Sequence, residues 1–257
     1  MPLAALAVPA SLHASLMARL DRLGTAKRVA QIGSAIGREF SHALLAAVAG
    51  ELEAALGAAL DRLVAAGLLF RQGVPPHGTY LFKHALVQDA AYGTLLREGR
   101  RALHAQIADT LEREFAEIAE RRPELLARHC AEAGLIEKAA RVWGKAGQHS
   151  LERSALAEAI EQISRALALI AALPAATALR REQLRLQVAL ITPLVHVKGF
   201  ASAETKAAAE RARLLIEQAQ TLGEAPDENG VSRKMLILPP AHPTLRRATK
   251  HRVRRTG

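Results

Sequence analysis

The sequence has a single cysteine, Cys130, and few aromatic residues, and both shortages restrict the classes of fold open to it. One cysteine cannot form an intrachain disulfide, which excludes a small disulfide-stabilised scaffold. Phe, Trp and Tyr supply only 3% of the 257 residues, whereas half of the chain is hydrophobic, mainly alanine and leucine. This composition is typical of packed helices and disfavours a β-sandwich. We therefore expect a mostly α protein in a reducing compartment, the cytoplasm.

Long apolar runs and metal-binding motifs are missing as well. No stretch approaches the roughly 18 apolar residues that a membrane span requires, and the first basic residue is Arg19, so a secretory signal is not expected. Ten histidines occur, but no HExxH or CxxC motif accompanies them. His129 and Cys130 are adjacent, which on a helix points their side chains in different directions. The sequence predicts no membrane association and no metal site.

Acidic residues are absent from the last part of the chain, and this explains the high net charge. Of 35 Lys and Arg residues, 27 lie in 1–229 with all 25 acids, and the other 8 lie in 230–257. We expect 223–257 to be a basic, disordered tail that contacts nucleic acid or acidic lipid only nonspecifically. A shifted reading frame or a decayed gene is the alternative origin of such a tail. The candidate anion contacts are Arg246, Arg247, Lys250, Arg252, Arg254 and Arg255.

Hydrophobic periodicity divides the first 97 residues into helices and one hairpin. Ser11 is placed to cap a helix that Gly24 ends, a second helix begins near Ala26, and Ser41 is placed to cap a third. The helix at 51–66 follows, and the β-prone runs LLFR and TYLFK then flank a Gly/Pro turn. Helices followed by a hairpin are typical of a winged helix, which we place at 25–97, after a linker and helix at 1–24.

From residue 84 to 222 only helical periodicity is found, and its short connections predict antiparallel pairs. The predicted helices are 84–96, 99–119, 123–133, 135–152, 155–172, 177–195 and 203–222. Within 140–173 the spacing of one tryptophan, one glycine and two alanines matches part of a tetratricopeptide repeat. Ser150 and Ala171 depart from it, since that motif usually has an aromatic residue and a proline there. We predict an array of degenerate TPR-like repeats. The residues expected to pack its helices closely are Trp143, Gly147, Ala159 and Ala166.

Four runs, in this order, resemble a known family: VPASLHASLMARLDRLG, QIGSAIGREFSHALLAAVAG, LDRLVAAGLLFRQG and FKHALVQDAAYGTLL. They are similar to the region that follows the nucleotide-binding core in bacterial STAND-type, AAA-like signalling ATPases. Many of these proteins are fused to class III adenylate or guanylate cyclase domains. The resemblance covers about residues 6–220. It implies a winged helix that packs on a nucleotide-binding core and repeats that bind a protein partner.

The chain itself has no P-loop, because no G-x-x-x-x-G-K-[ST] sequence occurs. By the resemblance, the ATP or ADP site and the cyclase residues would belong to segments upstream of this chain. We therefore expect no cofactor, no enzymatic activity and a truncated regulatory piece. The resemblance also implies that His84, after the hairpin, contacts nucleotide phosphates in the whole protein. Ala85 stands where the family has aspartate, and a purely structural role at the helix N-terminus is the alternative for His84.

A DNA-binding transcriptional regulator is the alternative function, because winged helices often read DNA. The presumed recognition helix at 51–66 opposes this reading, since it carries Glu51, Glu53 and Asp61 against only Arg62. DNA phosphates would repel that charge. The sequence therefore favours a non-catalytic regulatory and protein-interaction fragment.

Overall fold

The computed structural model describes residues 10–174 and 177–222, and within these ranges the protein is mostly helical. Twelve helices are present: α1 (Ala10–Asp21), α2 (Thr25–Ile36), α3 (His42–Ala49), α4 (Glu53–Ala65), α5 (Ala85–Gly93), α6 (Arg97–Arg113), α7 (Ala116–Arg121), α8 (Pro123–Glu132), α9 (Ile136–Glu152), α10 (Leu156–Ala171), α11 (Thr177–Lys198) and α12 (Ala203–Thr221). The three strands are β1 (Glu39–Ser41), β2 (Leu69–Gln72) and β3 (Thr79–Phe82). The expectation of a mostly α chain is confirmed. None of the described helices is long and apolar enough to cross a membrane.

Helix ends in the N-terminal part follow the capping signals of the sequence, with one shift. The Ser41 hydroxyl accepts a hydrogen bond from the Leu44 amide at 3.2 Å, so Ser41 caps α3 as predicted. Gly50 ends the same helix in the left-handed conformation, with φ at 61°. Ser11, predicted as a cap, lies inside α1, because that helix already begins at Ala10.

The strands form one antiparallel sheet in the order β1-β3-β2. The sequence predicted the hairpin of β2 and β3 but not β1, which has three residues and is too short to show a period of two. Phe40 of β1 pairs with Tyr80 of β3, and their rings stack with centroids 5.9 Å apart. A Cβ on Gly33 of α2 would lie 2.7 Å from the Phe40 ring. Glycine at that position therefore lets α2 approach the sheet.

The C-terminal helices follow one another as packed neighbours, with α10 between α9 and α11, and α12 on α11. Their predicted bounds agree with the structure to within three residues, and α11 continues to Lys198 although Pro193 lies inside it. The helix predicted at 99–119 is instead divided into α6 and α7 near Phe115.

One continuous hydrophobic core runs through the described residues, from Leu20 to Ala212. We call α2–α5 with β1–β3 the sheet domain, and α6–α12 the helical array. Helix α6 packs against both α2 and α3 of the sheet domain. The boundary predicted at 97/98 falls in the first turn of α6, and residues on both sides of it belong to this core.

Candidate functional site

The sheet domain and the array meet at a joint, where side chains of the array donate hydrogen bonds to backbone carbonyls at the ends of sheet-domain helices. The Arg128 guanidinium of α8 donates a hydrogen bond to the carbonyl of Ile36, the last residue of α2, at 2.7 Å. The Gln106 amide of α6 donates to the carbonyl of Val48, near the end of α3, at 2.8 Å. The last four carbonyls of a helix have no partner within the helix, so these bonds cap α2 and α3 from outside.

Hydrogen bonds also connect α2 to α5 and to Thr94, the residue that follows α5. The Gln88 amide donates to the Ser34 carbonyl at 3.1 Å, and the Gln31 amide donates to the Thr94 hydroxyl at 2.7 Å. We define the joint as the facing parts of α2, α3, α5, α6 and α8. It is held by directional hydrogen bonds as well as by apolar contact, which fixes the relative orientation of these helices.

A chain of three side chains runs through the joint from α5 to α8. The Tyr92 hydroxyl lies 2.9 Å from Nε2 of His104, and Nδ1 of His104 lies 2.8 Å from Nδ1 of His129. His104 is 3% exposed and His129 is fully buried. A hydrogen bond between two Nδ1 atoms needs one nitrogen to donate and the other to accept. When Nδ1 of His104 donates, its Nε2 accepts from Tyr92, and both imidazoles are neutral.

Burial and nearby cations keep these imidazoles neutral. Loss of solvation lowers the pKa of His104 to about 4, with further lowering by Arg128 and Arg100. Loss of solvation lowers the pKa of His129 to about 3, again helped by Arg128. The Nε2 of His129 is buried without a hydrogen-bond partner among the described residues. This nitrogen has no partner that could stabilise a positive charge on the ring, so the neutral imidazole is favoured over the charged one.

This arrangement offers no nucleophile and no metal ligand set. Cys130 is fully buried, and burial raises the pKa of its thiol, which is the opposite of an activated cysteine. No group of three or more His, Cys, Asp or Glu side chains in the described ranges is placed to hold a metal ion. The chemistry available at the joint is proton binding and helix capping.

His84 lies outside the joint. It is exposed, immediately precedes α5 in an extended conformation, and makes no capping hydrogen bond to that helix. Both roles expected for His84, contact with nucleotide phosphates and a structural role at the helix N-terminus, stay predictions. Its exposure leaves the imidazole accessible to a ligand or to another protein segment.

The four predicted repeat residues come together between α9 and α10. Ala159 and Ala166 are fully buried, Trp143 is 6% exposed, and a Cβ on Gly147 would lie 2.5 Å from Cγ1 of Ile163. Arg165 stacks on the Trp143 ring at 4.9 Å. Ser150, the departure from the repeat pattern, is buried and bonded to Gln162. Gly147 therefore lets α9 and α10 approach closely, and the assignment of a degenerate TPR-like repeat to these four residues stays a prediction.

The exposed side of α4, where a winged helix would read DNA, is small and electrically neutralised. Asp61 pairs with Arg71 of β2 at 2.8 Å, and Arg62 donates to the Thr25 hydroxyl at 2.7 Å. The remaining exposed side chains of this helix are an acid and four alanines: Glu53, Ala54, Ala55, Ala58 and Ala65. Alanine has no group that can hydrogen-bond a base edge.

An open groove of about 530 Å³ lies in the array, between the α9–α10 turn and α11. Its lining is mainly apolar with a few hydroxyls and one imidazole: Leu151, Ser154, Leu156, Ala189, Thr192 and His196. Pro193 has no amide hydrogen to bond the Ala189 carbonyl one turn earlier. Phe200, which comes after α11 in the chain, is 58% exposed.

The six basic residues proposed as anion contacts lie outside the described residues: Arg246, Arg247, Lys250, Arg252, Arg254 and Arg255.

Comparison with known proteins finds a similar but much longer chain. An uncharacterized protein of Rhizobium meliloti (strain 1021) is 32% identical over 205 residues. The alignment covers 79% of this chain and 19% of the relative, so the chain spans about a fifth of the length of the relative it matches. No protein-family model matches the chain, and no solved structure matches it.

The sequence did not identify the joint, although one signal for it was present. His104 follows Leu103 and precedes Ile107 on the apolar stripe of α6, and His129 adjoins Cys130 on that of α8. Histidine within an apolar stripe predicts a buried imidazole. What the sequence does not contain is the pairing of these two stripes in space.

Proposed function

We propose that this chain is a non-catalytic regulatory and protein-interaction portion of a STAND-type signalling ATPase of the cyclase-associated kind. The observation that carries the proposal is the element order α2-β1-α3-α4-β2-β3 with the sheet order β1-β3-β2, which is the arrangement expected of a winged helix at 25–97. The antiparallel helices that follow, with Trp143 and Gly147 at close contact, support TPR-like repeats at 98–222.

The mechanism we propose is restraint of a partner domain. In the whole architecture, a nucleotide-binding core would bind ATP or ADP, and the winged helix would change its packing on that core. The capping bonds of Arg128 and Gln106 support transmission, because α6 and α8 must follow when the ends of α2 and α3 move. The array would carry this movement to a protein partner, for which the groove near Leu156 offers an apolar surface.

Calorimetry with ATP and with ADP on the full chain tests this proposal directly. We expect binding of neither nucleotide, and no hydrolysis, because the phosphate-cradling glycine loop and its lysine are absent from the sequence. The His84→Ala variant is measured in parallel. Micromolar nucleotide binding that this substitution abolishes would contradict the proposal, since it would place a nucleotide pocket within this chain.

The DNA-binding alternative is separated by fluorescence anisotropy with mixed-sequence duplexes, using the full chain and a form that ends at residue 229. The neutral α4 surface predicts that binding, where it occurs, is nonspecific, weakens steeply with salt and is lost with the tail. Sequence-selective binding by the shortened form would instead favour a transcriptional regulator.

A further inference from the structure

The imidazole pair in the joint is built for two neutral rings. With Nδ1 of His104 and Nδ1 of His129 2.8 Å apart, one proton lies between them. One added proton leaves the hydrogen bond intact but creates a charge that is removed from water. A second added proton would turn two N–H groups towards each other and break the bond.

The charged groups around the pair do not compensate a positive imidazole. Helix α5 contributes Tyr92, whose ring stacks under Arg100 of α6 at 4.2 Å, and α8 contributes Arg128. No acid is among the groups that shift the pKa of either histidine, and α2 and α3 present backbone carbonyls. Other charged groups on the packed elements include Arg122 and the exposed Glu132, which act on Arg128, the exposed Glu117, Glu120 and Arg121 of α7, and Lys138 of α9, paired with Glu112 of α6.

We propose that His104 and His129 form an acid-sensitive latch between α6 and α8, in which protonation separates these two helices and loosens their hold on the sheet domain while α9–α12 stay folded. Helices α9–α12 stay folded because the polar side chains that they bury do not titrate between pH 7.5 and 5.0. In the described ranges beyond α8, these buried polar side chains are Ser150, Gln187 and Thr205. His42 is buried in the sheet domain, outside the joint, with its Nε2 3.1 Å from the Glu53 carboxylate.

The ordinary pKa of histidine gives the size of the expected effect of pH on the joint. In an opened joint each imidazole would titrate near its ordinary pKa of about 6.5, whereas the closed joint keeps both rings neutral. At pH 5.0 each proton then favours opening about thirtyfold, and the pair roughly a thousandfold. Because both rings lie between α6 and α8, and Tyr92 links His104 to α5, this bias falls on the joint.

Hydrogen–deuterium exchange of the full chain at pH 7.5 and pH 5.0, corrected for intrinsic exchange rates, tests the latch. We expect exchange at pH 5.0 to rise at least tenfold in α6, α8 and the last turns of α2 and α3, and to stay unchanged in α9–α12. Equal protection of all helices at both pH values would overturn the proposal, and so would loss of protection in every helix together.

Variants assign the effect to the imidazoles. His129→Leu with His104→Phe removes both titrating groups and should abolish the response of α6 and α8 to pH. The exposed His196→Gln is the matched control and should respond as the unmodified chain does. If the double variant does not fold, the single variant His129→Leu should reduce the acid response by about thirtyfold; an undiminished response in whichever variant folds would overturn the assignment.

Discussion

Replacing Gly147 by alanine would test the close packing of α9 on α10, on which the repeat assignment depends. The new Cβ would lie 2.5 Å from Cγ1 of Ile163 and 3.2 Å from its backbone nitrogen. A side chain can rotate away from such a contact, but the backbone nitrogen cannot, so α10 must shift. Overpacking of this kind costs about 1–3 kcal/mol, and the higher helix propensity of alanine returns about 1 kcal/mol. We expect a net loss of about 1 kcal/mol in the free energy of unfolding.

Two other helical glycines provide matched controls. A Cβ on Gly57 of α4 would meet nothing within 4 Å, so Gly57→Ala should gain about 0.5–1 kcal/mol from helix propensity alone. The three atoms nearest a Cβ on Gly144 all belong to side chains, of Glu182 at 3.2 Å and Leu186 at 3.3 Å, and side chains can give way more easily than backbone. Gly144→Ala should therefore fall between the other two. Urea denaturation followed by far-UV circular dichroism gives all three free energies.

A double-mutant cycle with Ile163→Ala identifies the cause of the loss at Gly147. Alone, Ile163→Ala should cost about 2–5 kcal/mol, because the side chain is fully buried. In the Gly147→Ala background it should cost less, since the crowded atoms are gone. If Gly147→Ala proves as stabilising as Gly57→Ala, the two helices are not in close contact and the reasoning for a TPR-like pair is wrong.

Three further predictions concern the joint and its surroundings. The folded-state pKa values of His104 and His129 lie below the ordinary 6.5, so the unfolded chain binds more protons than the folded one. Stability is therefore lost as pH falls from about 6.5 towards 4, and the free energy of unfolding measured by urea denaturation should be lower at pH 5.0 than at pH 7.5 by about 2 kcal/mol per histidine. Arg128→Met should cost about 1–3 kcal/mol by uncapping α2, whereas Arg141→Met, which removes an exposed pair with Glu137, should cost less than about 1 kcal/mol. Cys130 should react with a thiol reagent only after unfolding, and fast labelling of the native chain would contradict its burial.

The elements that sequence reasoning found are those whose signal is local. Helices α9 and α10 have long apolar stripes, Pro174 follows the end of α10, and Ser41 and Gly50 mark the ends of α3 by their own chemistry. Strand β1 was missed because it becomes a strand only through its pairing with β3. The break between α6 and α7 lacks a glycine or proline, so nothing in the local sequence announces it.

The joint was missed for a related physical reason. Its capping bonds link residues far apart in the chain: Arg128 is 92 positions from Ile36, and Gln106 is 58 positions from Val48. An arginine or glutamine that caps another helix looks the same in sequence as a solvated one. Only the fold shows that the acceptor is an uncapped helix end.

The charge distribution of the described surface bears on the kind of partner that the array would bind. Many exposed arginines of the array pair with an acid one turn away on the same helix, as Arg113 does with Asp109 and Arg165 with Glu161. Such pairs cancel much of the field at a distance, and the residues 1–229 carry 27 basic against 25 acidic side chains. A polyanion such as DNA is attracted by an uncancelled field. A surface of this kind instead favours short-range apolar contact, which the groove lined by Leu151 and Leu156 can provide, and this supports the proposed protein partner for the array.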